Sequence, residues 1–204
     1  MSTAQPLKFE AQDDGEETAR ADLYGLLAGL FYGPPSQELL NAIADAPSEG
    51  GGVLRDAWNA LAQACSKADA NALRDEYESL FIGVGKPELM LYGSYYLSGF
   101  LMEKPLAALR SDLAALGLER PAEVPESEDH IAMLFEVMRY LIASDDAAIA
   151  NIAAQKTFFG THIQPWAAQM CEAIEAHPRA GFYRPVAVLA KHFLEVEMQA
   201  FDMA

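Results

Sequence analysis

Apolar residues recur at three- and four-residue spacing in one segment after another of this chain, and no run alternates apolar and polar residues long enough to make a strand. Leu23, Leu26, Leu27, Leu30 and Phe31 form the first such stripe, and Gly33-Pro34-Pro35 ends it. A short helix follows Ser36, and others are predicted over residues 53–67 and 69–81, the last stopped by Gly83-Val84-Gly85-Lys86-Pro87. Residues 92–116 read as one long helix, bent near Ser98-Gly99 and Pro105. The next begins at Glu128 with Ser127 as its cap, burying Ile131, Leu134, Phe135, Met138, Leu141 and Ile142. Ser144-Asp145-Asp146 caps a further helix through Phe158, and two more span residues 161–176 and 183–203, with Pro185 tolerated in the first turn of the last. The fold expected is all-α: a single compact helical bundle of eight or nine helices over residues 16–204, after a flexible acidic tail over residues 1–15. The helices are too uneven in length for a regular four-helix bundle.

Charge narrows the partners. Lys+Arg is 14 and Asp+Glu is 30, a formal balance of −16 that opposes nucleic acid and anionic membrane and permits a basic ligand. The longest uncharged run, residues 89–102, is shorter than the ~18 residues of a membrane span, so it is read as a buried segment. The N-terminus is acidic where an export signal is basic. Cys65 and Cys171 are isolated, as in a protein kept reduced in the cytoplasm.

Familiar catalytic and cofactor patterns are missing. Gly83-Val84-Gly85-Lys86 follows a helix rather than a strand and lacks Ser or Thr after the lysine, so it reads as a helix stop, not a phosphate loop. Ser127, Phe159, Ile174 and Leu189 stand three before the four histidines, so the Glu-x-x-His pairs of di-metal bundles do not occur. No metal or cofactor is expected, and no nucleophile is nominated. The chain reads as a binding protein rather than an enzyme.

One stretch concentrates chemistry. Glu126, Ser127, Glu128, Asp129 and His130 stand where the apolar stripe of the sixth helix begins. Carboxylates at that end of a helix are favoured by its dipole. They are either ordinary first-turn caps or a fixed negative charge beside apolar surface, which suits a ligand carrying a cation followed by an apolar segment.

Three islands together resemble the TorD/DmsD family of cytoplasmic chaperones that mature molybdenum-containing redox enzymes. Tyr77-Glu78-Ser79-Leu80-Phe81 is similar to that family's aromatic-x-x-Leu-Phe motif. Tyr92-Gly93-Ser94-Tyr95-Tyr96 is similar to its aromatic-Gly/Ala-Ser-x-Tyr turn, and Glu126-Ser127-Glu128-Asp129-His130 to its Glu-Pro-x-Asp-His motif, with Ser127 in place of the proline. Phe158, His162 and Trp166 stand where the family often has a Phe…His…Trp junction. The resemblance implies a chaperone that binds the twin-arginine signal peptide of an unassembled precursor and holds back its export until the cofactor is installed. The peptide-binding residues it carries over are Tyr77, Leu80, Phe81, Tyr92, Ser94, Asp129 and His130, and the charge at the helix start adds Glu126. Asp129, with Glu126 or Glu128, takes an arginine, and the apolar and aromatic residues line a groove. His130 donates to a peptide carbonyl or positions Asp129. The alternative is an all-helical enzyme or nucleotide-binding protein using the same acidic cleft. Relatives imply a monomer or a helix-exchanged dimer, with residues 117–126 as the hinge.

Overall fold

Residues 14–46, 51–83, 85–144, 146 and 149–203 are described by a computed structural model. The predicted tail lies almost entirely outside them. The first helix, α1, spans Asp14–Tyr32 and stops at the predicted Gly-Pro-Pro break. Ser36 caps α2 (Gln37–Asp45), its hydroxyl accepting from the Leu39 amide at 3.2 Å. After α3 (Val53–Cys65), Asp69 caps α4 (Ala70–Tyr77), which passes into one π-helical turn over Glu78–Ile82. The Gly83 amide closes that turn on the Glu78 carbonyl at 2.7 Å.

The long helix expected over residues 92–116 is two helices, α5 (Gly93–Ser98) and α6 (Lys104–Ala115). Gly99 leaves α5 at φ 84°, and Met102 follows at φ 60°, a left-handed conformation no helix interior accepts. The remaining helices are α7 (Ile131–Ala143), α8 (Ile152–His162), α9 (Ala167–Ala176) and α10 (Tyr183–Met203). Ten α-helices thus stand among the described residues, one more than the sequence indicates, because of the break at Gly99. Two helix starts also move. Asn151, not Ser144, caps α8, and the chain turns at residues 163–166 rather than at Thr161.

The core forms around α1, which packs along α7. Tyr24 and Phe31 of α1 meet Phe135 of α7 at ring separations of 5.6 and 6.3 Å. The other long helix, α10, lies against α3 and α9 and presents Phe193 to Tyr24 at 4.7 Å. Burying each such aromatic or aliphatic side chain stabilises the fold by roughly 1.5–3 kcal/mol. Both cysteines are buried in this core, and burial pushes the Cys65 thiol up to about 11 and that of Cys171 to about 12, so both stay protonated and inert.

The run over residues 89–102 is not buried throughout, as its composition led us to expect. Leu89, Met90 and Leu91 are, but Leu97, Phe100, Leu101 and Met102 are exposed, Met102 at 79%. Among the described residues no helix is long and apolar enough to cross a membrane.

Candidate functional site

The three sequence islands are stitched together through backbone groups. In the first, the π turn leaves the Leu80 carbonyl free of the helix, and it accepts from the Glu88 and Leu89 amides at 3.1 and 2.9 Å. That contact feeds the chain into Leu91, whose carbonyl accepts from the Ile131 amide at 2.8 Å. The Gly93 amide in turn donates to the Asp129 carbonyl at 2.9 Å, so Tyr92 and His130 form an isolated antiparallel bridge. Gly93 is required here by close approach: a Cβ would sit 3.0 Å from Trp166 Nε1. Trp166 is held in place by donating to the His162 carbonyl at 2.7 Å and by stacking on Tyr96 at 5.4 Å. The Phe…His…Trp junction therefore supports the second island from beneath.

The third island is a turn rather than the first turn of a helix, closed by the His130 amide on the Ser127 carbonyl at 3.0 Å, which corrects the predicted start of α7. Its N-cap is His130, not Ser127, and the His130 Nδ1 accepts from the Ala132 amide at 3.2 Å. The ring proton is therefore on Nε2. Burial lowers the His130 pKa to about 4 despite the nearby Glu126 and Asp129 carboxylates, so the imidazole is neutral near pH 7. Ser127, freed from capping, donates its hydroxyl to Asp129 Oδ1. The other Asp129 oxygen accepts from the Ser94 amide at 2.8 Å, at the start of α5. Asp129 is only 4% exposed, yet no cation stands within ion-pairing distance of it among the described residues.

Neighbouring carboxylates divide into two kinds. Glu126 accepts from the Tyr92 hydroxyl and is half-buried, and it too makes no ion pair among the described residues. Burial, followed by the bond to Glu126, raises the Tyr92 pKa, so this phenol stays a donor. Glu128 is instead taken by the chain's own arginines, with Arg110 at 2.9 Å and Arg120 at 3.5 Å. Burial works to raise its carboxyl, but the two guanidinium groups outweigh it and hold it below the usual carboxylate range.

The structure thus gathers Tyr92, Ser94, Glu126, Asp129 and His130 into one cluster, with the Tyr92 ring edge-on to His130 at 5.0 Å. The first island lies beneath it. Tyr77, Leu80 and Phe81 are buried core residues, and the Tyr77 hydroxyl donates to the carbonyls of Phe31 and Tyr32 at the end of α1, at 3.1 and 2.9 Å. They support the cluster and do not line an open groove. The sequence reading missed the exposed apolar loop between α5 and α6, although Gly99 marked it. That loop is joined to the cluster by Ser94, whose Oγ accepts from the Met102 amide at 3.2 Å. Among the described residues no group of three His, Cys, Asp or Glu side chains could hold a metal ion.

Residues 52–172 match the family described as nitrate reductase delta subunit, and the chain belongs to that family, the TorD/DmsD group. It is 27% identical to the chaperone protein TorD of Aliivibrio fischeri over 88% of this chain and 93% of the relative. It is 30% identical to an uncharacterized Haemophilus influenzae protein, over 83% and 87%. A crystal structure of an Archaeoglobus fulgidus protein assigned to redox enzyme maturation shares the fold, with a TM-score of 0.58 at 22% identity over 94% of this chain and 99% of that one. The chain is a TorD-type maturation chaperone rather than an enzyme.

Proposed function

We propose that the protein acts in the cytoplasm on the precursor of a molybdenum-cofactor redox enzyme. It binds the precursor's twin-arginine signal peptide, assists cofactor insertion and holds back export until assembly is complete. The observation that carries this reading is the pair of carboxylates that make no ion pair among the described residues, Asp129 and Glu126, positioned by Ser94, Ser127 and Tyr92. A carboxylate bonded only to neutral donors offers an incoming guanidinium a charge-assisted, planar contact that a phosphate cannot make. Glu126 is the more accessible of the two and makes the direct arginine contact. Asp129 supplies field from behind and fixes the Tyr92–Ser94 turn. A charge-assisted hydrogen bond of this kind contributes roughly 1.5–3 kcal/mol.

Calorimetric titration with a signal-bearing precursor peptide tests the reading. Glu126→Gln keeps the shape and removes the charge, and it should weaken binding by about tenfold or more, with the difference shrinking at high salt. Equal affinity for the unaltered and Glu126→Gln proteins removes the arginine contact. No saturable binding of the peptide to the unaltered protein removes the whole reading.

A further inference from the structure

We infer that Arg110 is a displaceable placeholder beside the arginine site: it holds the Glu128 carboxylate while the site is empty and yields it to the second arginine of the signal, the first being taken by Glu126. The inference rests on the signal-peptide reading above. Half-buried Glu128 is held by two guanidinium groups in unequal ways. Arg120 is itself half-buried and also donates to the Val124 carbonyl of its own connection, so it keeps a partner when Glu128 changes hands. Arg110 reaches over from α6, bonds Glu128 at 2.9 Å and leaves 54% of its side chain exposed. An exposed pair of this kind contributes little to the fold, because water takes over each partner at small cost. The bond from Glu128 raises the Arg110 pKa and the Asp129 charge adds to it, so this guanidinium lies within the field of the Tyr92–His130 cluster.

Space and reach favour an exchange with a second arginine. Arg110, Arg120 and Glu128 line an open hollow of about 420 Å³ with Glu119 at its margin, which leaves room for a further guanidinium beside Glu128. Glu126 and Glu128 are separated by one residue, and two residues of chain span at most about 7 Å, a gap that two adjacent arginine side chains cover together. A ligand with one arginine pairs with Glu126 and feels the positive charge of Arg110 at the neighbouring carboxylate. A ligand with two replaces that charge: its second arginine, tethered by the first, takes Glu128 and releases Arg110 to water. One guanidinium–carboxylate pair is traded for another, so the protein loses little and the tether decides the exchange.

The experiment titrates the full chain calorimetrically with two peptides on a soluble carrier. One carries two adjacent arginines before an apolar run, and in the other the second arginine is glutamine. The unaltered chain should bind the first more tightly. Glu128→Gln should bring the first probe down to the affinity of the second, a loss of about tenfold. Arg110→Gln should act the other way, tightening the first probe by about fivefold and the second by less than about twofold. Arg139→Gln removes the same charge from α7, where Arg139 pairs with Glu136 at 2.8 Å, and should leave both affinities unchanged. Unchanged or weaker binding of the first probe by Arg110→Gln, while Glu126→Gln still weakens it, overturns the placeholder and leaves the arginine site standing. Equal tightening by Arg139→Gln reduces the effect to net charge and likewise overturns it. Failure of the unaltered chain to bind the first probe overturns both readings.

Discussion

Glu197 and Asp129 are both buried carboxylates, 1% and 4% exposed, and they are satisfied in opposite ways. Glu197 of α10 takes both of its bonds from Arg20 of α1, at 2.7 and 2.8 Å, and a third from Tyr24 at 3.0 Å. Arg20 also reaches Gln155, whose amide donates to the Leu141 carbonyl of α7, so four helices meet at one neutralised centre. Among the described residues the Asp129 carboxylate takes its bonds from a backbone amide and a serine hydroxyl. A fold that needs a buried carboxylate for its own stability supplies the counter-ion, as this one does at Glu197. Asp129 makes no ion pair among the described residues, and that contrast with Glu197 is what motivates the arginine contact proposed beside it.

Breaking the neutralised centre should have the largest effect. Glu197→Ala leaves the Arg20 guanidinium with Glu17 at 3.2 Å and Gln155 at 3.1 Å, and should cost about 3 kcal/mol in urea unfolding, the low end for breaking a buried pair. Signal-peptide affinity, measured at temperatures where the variant is folded, should not change. If affinity falls along with stability, the two regions are not separate.

The next effect is read in pH. The folded state holds His130 near 4, while an unfolded histidine titrates near 6.5, so the unfolded chain binds the extra proton first. Stability is full above pH ~6.5 and falls as pH drops toward ~4, by roughly 3 kcal/mol. His130→Asn keeps a capping acceptor and removes the titration, so the difference between the two stability–pH curves should rise across that window. A flat difference means that the imidazole is not the titrating group. The smallest effect is expected at Ser127→Ala, which removes one donor from Asp129 and should lower stability by about 0.5–1.5 kcal/mol. Peptide binding should then weaken only slightly, because Ser94 still holds the carboxylate.

The helices were legible from apolar spacing and from punctuation such as Gly33-Pro34-Pro35, Ser36 and Asp69, where the signal is local. Gly99 was visible as a bend but not as a break, since Leu97, Phe100, Leu101 and Met102 are apolar enough to pass for a helix interior. The start of α7 was misplaced because Glu128 and Asp129 have the composition of first-turn acids. Asp129 does serve a helix terminus, but that of α5, reached across a bridge of one residue pair that leaves no alternation to read. Which carboxylate is neutralised was beyond the sequence altogether. Glu126 and Glu128 are equivalent on paper, and only the placement of Arg110 and Arg120 separates them.

The bridge between Tyr92 and His130 also has a topological meaning. It closes residues 93–129 into a loop of chain that returns to its starting point, carrying α5 and α6 with it while Leu106, Leu109 and Leu113 of α6 stay in the shared core. The backbone could be severed on its far side, in the connection after α6, and both ends would remain anchored, one through the Leu91–Ile131 and Gly93–Asp129 bonds and the other through the packing of α7 on α1. Cutting the backbone there should therefore leave two fragments that elute together in gel filtration, and fragments that separate would show that these contacts do not hold the halves.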